Sequence, residues 1–160
     1  MRKRTLAREY VLKILYQFEM SQAPLEEVLT QFWSWNQAHP EVREFTERIV
    51  RGTSEHLTEI DQKIVQYTEN WQLHRMAVLD RNILRYSVYE LLFVDEIPPK
   101  VTINEAVDIA KKYSQDDAGK FVNGILDKIN HSESIELKKS GGKSEAGHSI
   151  KPPLENDEND

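Results

Sequence analysis

Apolar side chains at Leu6, Ala7, Tyr10, Val11, Ile14, Leu15 and Phe18 recur every three or four residues, the period of one face of an α-helix. The pattern predicts an amphipathic helix over about residues 5–20, ended by Ser21 to Pro24. Leu25 to Trp35 predicts a shorter second helix, and His39-Pro40 marks the next break. From Val42, the positions Phe45, Ile49, Leu57, Ile60, Ile64 and Tyr67 carry helical spacing on to Trp71. Gly52 interrupts them and predicts a bend, so one long helix or two nearly continuous ones are expected.

Leu79, Ile83, Ser87, Leu91 and Leu92 fall along a further helix, with Asp80 as its expected N-cap. Pro98-Pro99 forbids its continuation, because proline lacks the amide and restricts the residue before it. Thr102-Ile103-Asn104-Glu105 has capping-box spacing, which predicts a helix start there, buried through Ile103, Ala106, Val107 and Ala110. Asp116 or Asp117 can cap a last helix packed through Phe121, Val122, Ile125, Leu126 and Ile129. No stretch alternates with period two, so the fold class is all-α. Beyond about His131 the character changes to Gly141-Gly142, Pro152-Pro153 and an acidic end. Residues 1–131 therefore read as one helical domain and 132–160 as a disordered acidic tail, too poor in core formers to offset ordering entropy.

Composition narrows the chemistry. The 160 residues hold no cysteine, which removes disulfides, thiolate nucleophiles and zinc–cysteine sites and suits a reducing cytoplasm. No run approaches the roughly 18 apolar residues of a membrane helix. The basic start is not a secretory signal, since Lys13 and Gln17 interrupt the apolar stretch that would follow. His39, His56, His74, His131 and His148 lack metal-binding helix spacing, and Asp116-Asp117 reads as a cap rather than a catalytic pair. Gly142-Lys143-Ser144 lacks the earlier glycine of a phosphate loop, since Leu137 stands there. No enzyme, metal or cofactor is expected.

Charge points elsewhere. The chain carries −6 overall, yet within residues 1–13 Arg2, Lys3, Arg4, Arg8 and Lys13 face only Glu9. Arg4 and Arg8, four apart, share one helical face, and arginine forks suit phosphate. Lys111, Lys112 and Lys120 form a second basic group around the loop from Ser114 to Gly119, edged by Tyr113 and Phe121. Exposed rings beside lysines stack single-stranded bases while the lysines meet phosphates. Each ring fits a core position equally well, Phe121 more so from its period with Ile125 and Ile129.

Ala7-Arg8-Glu9, Leu15-Tyr16-Gln17, Asp80 to Arg85, Ile103-Asn104-Glu105-Ala106 and Phe121 to Asp127 occur in one order that resembles the NusB family of transcription antitermination proteins. The resemblance implies about seven helices in two small perpendicular subdomains. It implies binding of single-stranded boxA-type RNA of ribosomal transcripts together with NusE, a ribosomal protein, to load an antitermination complex on RNA polymerase. Its RNA contacts fall on Arg2, Lys3, Arg4 and Arg8 and on the segment through Asp117, Lys120 and Phe121. Tyr16 and the Asp80 region match the NusE-facing surface, and Asp117 joins them as a partner residue. Thr5 and Leu6 stand where some relatives continue the basic run, so this arm is less charged. Asn123 and Gly124 read as structural, the glycine letting helices approach. Two alternatives remain: a homodimeric interaction module without RNA binding, with the homodimer also open as a resting state, and a NusB-like domain acting for an RNA methyltransferase.

Overall fold

The computed structural model describes residues 2–68 and 72–144, with side chains described through Ser134. Among them run seven α-helices: α1 (Lys3–Ser21), α2 (Leu25–Trp35), α3 (Pro40–Glu55), α4 (Leu57–Tyr67), α5 (Val78–Phe93), α6 (Pro99–Tyr113) and α7 (Ala118–Ser144). A single 3-10 turn (Leu73–Arg75) links α4 to α5, and no strand occurs among the described residues. The all-α expectation holds.

Local chemistry sets the helix ends. Gln22 ends α1 in the left-handed region at φ 60°, and its amide donates to the Phe18 carbonyl at 3.2 Å. That geometry satisfies one of the otherwise orphan carbonyls of the last turn. Pro40 opens α3 at a position where a missing amide costs nothing, and His39 Nδ1 accepts from the Glu41 amide at 3.1 Å. The expected pair of nearly continuous helices is α3 and α4, joined at His56. Trp71 lies outside the described residues.

Four expectations change. Gly52 does not bend the chain; it lies within α3, and a Cβ there would meet Tyr89 Cζ of α5 at 2.0 Å. The Tyr89 ring occupies the space that a side chain at this position would need. Asp80 is not an N-cap, because α5 begins at Val78 behind Ala77 and Asp80 lies in the first turn. Thr102 and Glu105 do not form a capping box, because α6 already starts at Pro99. Proline fits that first position as it did in α3. Thr102 is buried and donates instead to Glu90 Oε1 at 2.8 Å.

The fourth change concerns the domain end. Helix α7 continues past residue 131 to Ser144, and Glu133 accepts from Lys63 Nζ at 2.8 Å and Tyr67 hydroxyl at 3.2 Å. Two anchors on α4 thus hold a position assigned to the tail. Residues 145–160, the remainder of that tail, lie outside the described residues.

Helix α5 occupies the centre, packed against α1, α3, α4, α6 and α7. Its Ile83, Leu84, Tyr86 and Val88 are fully buried, and so are the polar Ser87 and Glu90. Helices α1, α2 and α3 pack together on one side, and α6 and α7 on another. Facing apolar rows from Val11, Ile14, Ile49, Ala106, Val122 and Ile129 close the core.

Candidate nucleic-acid interface

The basic start of α1 does not act as one cluster. Successive side chains of a helix point about 100° apart, so Arg2, Lys3, Arg4 and Arg8 are distributed among three environments. Arg2 is exposed and lines a surface depression with Thr5, Glu9, Glu105, Asp108 and Lys112. Lys3 turns toward α3 and pairs with Glu41 at 2.8 Å. Arg4 lies over the Phe45 ring at 4.3 Å, a cation–π arrangement on that same side.

Arg8 departs from the sequence expectation. Its spacing places it beside Arg4 on an outward face, but it is 1% exposed. Nε and Nη2 donate to Glu90 at 2.8 and 3.0 Å, and Nη1 reaches Glu105 at 3.5 Å. Burial disfavours its charge, but the Glu90 carboxylate outweighs this and leaves the guanidinium more firmly protonated than a free arginine. A buried cation with a matched carboxylate fork is a core strut between α1 and α5. No phosphate can reach it without opening that core.

The second basic group converges on the first. Arg2, Glu9 and Lys13, spaced seven and four apart, fall on one stripe of α1 facing the end of α6. Glu9 is 5% exposed, and its carboxylate accepts from Lys112 Nζ at 2.9 Å and from Tyr113 hydroxyl at 2.7 Å. Lys112 and Lys13 flank the half-buried Tyr113 ring, at 5.3 and 5.9 Å from its centroid. The Glu9 hydrogen bond holds the Lys112 ammonium above the usual lysine range. Burial first, then Glu9, pushes the Tyr113 phenol up.

Lys111 follows α6 to the opposite side, its stem lying over Gly119 at the start of α7. Lys120 is exposed one residue further on. The last turn of α6 thus bridges the arm of α1 to the start of α7. Phe121 is half-buried and packs against the core. Asp116 and Asp117 are exposed in the intervening turn, and the Asp117 carbonyl receives the Phe121 amide at 3.3 Å. Asn123 and Gly124, expected to serve packing, are exposed instead, and a Cβ at Gly124 would meet nothing within 4 Å. Among the described residues, no helix approaches there.

On the neighbouring side, Tyr16 is 40% exposed and lines an apolar groove of roughly 550 Å³ with Leu12, Phe32, Trp35, Leu79 and Tyr113. Trp35, at the end of α2, is 81% exposed. Asp80 is half-buried, and Oδ1 accepts from Ser114 hydroxyl at 2.6 Å. Tyr113 therefore belongs to both the groove and the cationic stripe, and Asp80 is tied to the loop that follows it. Lys13 and Trp35 are not singled out as site residues by the sequence. Lys13 was readable from its spacing to Arg2 and Glu9, whereas Trp35 could not be told from a core residue of an amphipathic helix.

Among the described residues no three histidine, aspartate or glutamate side chains gather to hold a metal ion. None of the described helices is long and apolar enough to cross a membrane.

Known proteins share this architecture. The model of the NusB family matches residues 5–131. A transcription antitermination protein NusB from Thermodesulfovibrio yellowstonii is 44% identical over 137 residues, 79% of this chain and 91% of that protein. One from Anaeromyxobacter sp. is 47% identical over 128 residues, 79% of this chain and 89% of that protein. The structure of T. maritima NusB matches with a TM-score of 0.76 at 42% identity, covering 86% of this chain and 100% of that one. A crystal structure of antitermination factors NusB and NusE in complex with double-stranded RNA matches at 0.75 and 30% identity, covering 82% and 98%. With the family model matching residues 5–131 and a family structure covering 86% of the chain, this chain belongs to the NusB family of transcription antitermination proteins.

Proposed function

We propose that this chain binds single-stranded boxA-type RNA of ribosomal RNA transcripts together with NusE, and so helps load antitermination complexes on RNA polymerase in the cytoplasm. The observation that carries the reading is that Lys13 and Lys112 both lie against the Tyr113 ring where α1 meets α6, with Arg2 lining the same depression as Lys112. Cations beside a half-buried ring suit a single strand, whose phosphates seek charge and whose bases seek stacking. Lys111, Lys120 and Phe121 continue the track, with Lys3 and Arg4 on its far side. Arg8 supports the helix that carries them. The NusE complex of a family structure supports the partner, and Tyr16 with Asp80 and Asp117 supplies its face here.

With a formal charge of −6, the chain alone repels most of an RNA strand. A basic ribosomal partner on the Tyr16 groove would lengthen the positive track. Because Tyr113 lines both surfaces, ordering one favours the other, and that coupling is reciprocal.

Titration of boxA-like and scrambled single strands, and of a duplex, with and without NusE, tests this. Tightest binding is expected for the boxA-like strand with NusE, by about 1–3 kcal/mol over the chain alone. Equal affinity for all three RNAs, unchanged by NusE, would overturn the reading.

A further inference from the structure

We infer that Glu9 is a specificity-determining residue: it covers Lys112 in the free protein and so restrains binding of nucleic acids that offer phosphate alone. The inference rests on the proposed RNA-binding function and deepens it.

Glu9 is an acid bonded to Lys112, in a depression that Arg2 and the acids Glu105 and Asp108 also line. It shares a helical stripe with Arg2 and Lys13, and its side chain is 7% exposed while that of Lys112 is 51% exposed. One carboxylate oxygen takes Lys112 Nζ and the other takes the Tyr113 hydroxyl. Helix propensity does not require an acid here. Nor does an ion pair with a half-exposed lysine add much to stability, since such pairs contribute about 0–1 kcal/mol. A more direct consequence is electrostatic. A phosphate approaching Lys112 meets a neutralised ammonium and a fixed negative charge behind it.

Lys111 provides the internal contrast. It is adjacent in sequence and exposed, and among the described residues it has no carboxylate partner. Two lysines of one helix end are therefore in different states, one open to phosphate and one covered. A ligand that brings only phosphates gains from Lys111 and little from Lys112. A ligand that also places a base on the Tyr113 ring draws Lys112 off Glu9 in the same event, while Glu9 keeps hold of the phenol. Discrimination then comes from suppressing the unwanted complex, a recognised route to specificity.

Poly(U), whose uracils stack most weakly of the four bases, is the single strand nearest to phosphate alone. The experiment measures the salt dependence of its binding by the full chain, and the affinity ratio of the boxA-like strand over poly(U). In Glu9→Gln the glutamine oxygen still accepts from Tyr113, but the charge covering Lys112 is gone. Poly(U) should bind more tightly, with a slope steeper by about 0.7, the value of one added single-strand phosphate contact. That corresponds to a further ~2.6-fold loss of affinity over a fourfold rise in salt. The boxA-like ratio should fall. Adding Lys112→Gln to Glu9→Gln should abolish the gain.

Two surface variants keep the test independent of any folding defect at Glu9. In the otherwise unaltered chain, Lys111→Gln should lower the poly(U) slope by about 0.7, and Lys112→Gln should lower it by clearly less. Equal effects of the two lysine variants, or a gain in Glu9→Gln that survives Lys112→Gln, would overturn the role of Glu9 and leave RNA binding standing. Absence of binding to every RNA by every variant, even with NusE, would overturn both.

Discussion

Arg8 of α1 and Glu90 of α5 form a two-pronged ion pair at 2.8 and 3.0 Å, with side-chain exposures of 2% and 0%. Thr102 of α6 donates to the same carboxylate, so a single buried acid ties three helices together. Removing the guanidinium alone leaves Glu90 charged and without its cation in a dry site. Arg8→Leu should therefore cost about 3–5 kcal/mol of unfolding free energy. The double variant Arg8→Leu with Glu90→Leu should recover much of that loss, because no lone charge remains. Chemical denaturation of the two variants checks this. A mild loss in the single variant would show that Arg8 is reachable by water, and would return it to the candidate RNA contacts.

The Tyr89 ring of α5 lies directly against Gly52 of α3, where a Cβ would come within 2.0 Å of Tyr89 Cζ. Ordinarily alanine stabilises a helix interior relative to glycine by about 1 kcal/mol. Here the added methyl group falls on the tyrosine ring, so Gly52→Ala should destabilise by about 1–3 kcal/mol. Tyr89→Leu in the same chain should relieve the clash and bring out the alanine benefit. Thermal melts of the single and double variants decide it, and a stabilised Gly52→Ala would refute the close approach.

Glu19, at the end of α1, is shared by Arg81, Asn82 and Arg85 of α5. Burial pushes its carboxyl up, but the Arg81 and Asn82 hydrogen bonds and both guanidiniums outweigh it and hold it below the usual glutamate range. A carboxyl depressed on folding adds stability above its unfolded pKa of about 4.3, and that stability is lost as pH falls through the lower folded value. Stability should thus decline in acid below about pH 4.3 more steeply in the natural chain than in Glu19→Gln. Denaturant midpoints from pH 7 to 3 test it; parallel curves would remove Glu19 from the acid response.

Phe121 is half-buried, which predicts a divided outcome. Phe121→Leu keeps apolar bulk against the core but gives up the aromatic face. Stability should fall by less than about 1.5 kcal/mol, the usual limit for near-conservative apolar exchange. RNA affinity should fall by about 1–3 kcal/mol if the exposed edge carries a base. Undiminished affinity in the folded variant would confine Phe121 to packing.

Asp80 joins the start of α5 to Ser114. On the proposed partner face, Asp80→Lys places a cation against a basic protein. The NusE-dependent gain in RNA affinity should disappear while binding by the chain alone persists or rises, because a negative charge has also been removed. Calorimetry with NusE alone separates the two effects. Full retention of partner binding would move that interface off Asp80.

The sequence determined the class and the outline. Helix-period apolar rows and the proline punctuation define six or seven segments, because burying one face against neighbours requires that period whatever those neighbours are. The break at His56 between α3 and α4 is not the one that Gly52 suggests. Ordered blocks from Ala7-Arg8-Glu9 to the Phe121 segment identified the family. The role of each charged side chain was decided only in three dimensions. Arg8 reads as a solvated arginine until α5 brings Glu90 to it from 82 positions away. Thr102 and Glu105 read as a cap until Pro99 starts the helix a turn earlier and both oxygens turn inward. Glu9 meets Lys112 across 103 positions, and no local pattern encodes that distance. A charge next to phosphate and a charge next to a carboxylate look alike along the chain. What separates them is which helix lies opposite, and that is set by the packing of the apolar faces rather than by the charges themselves.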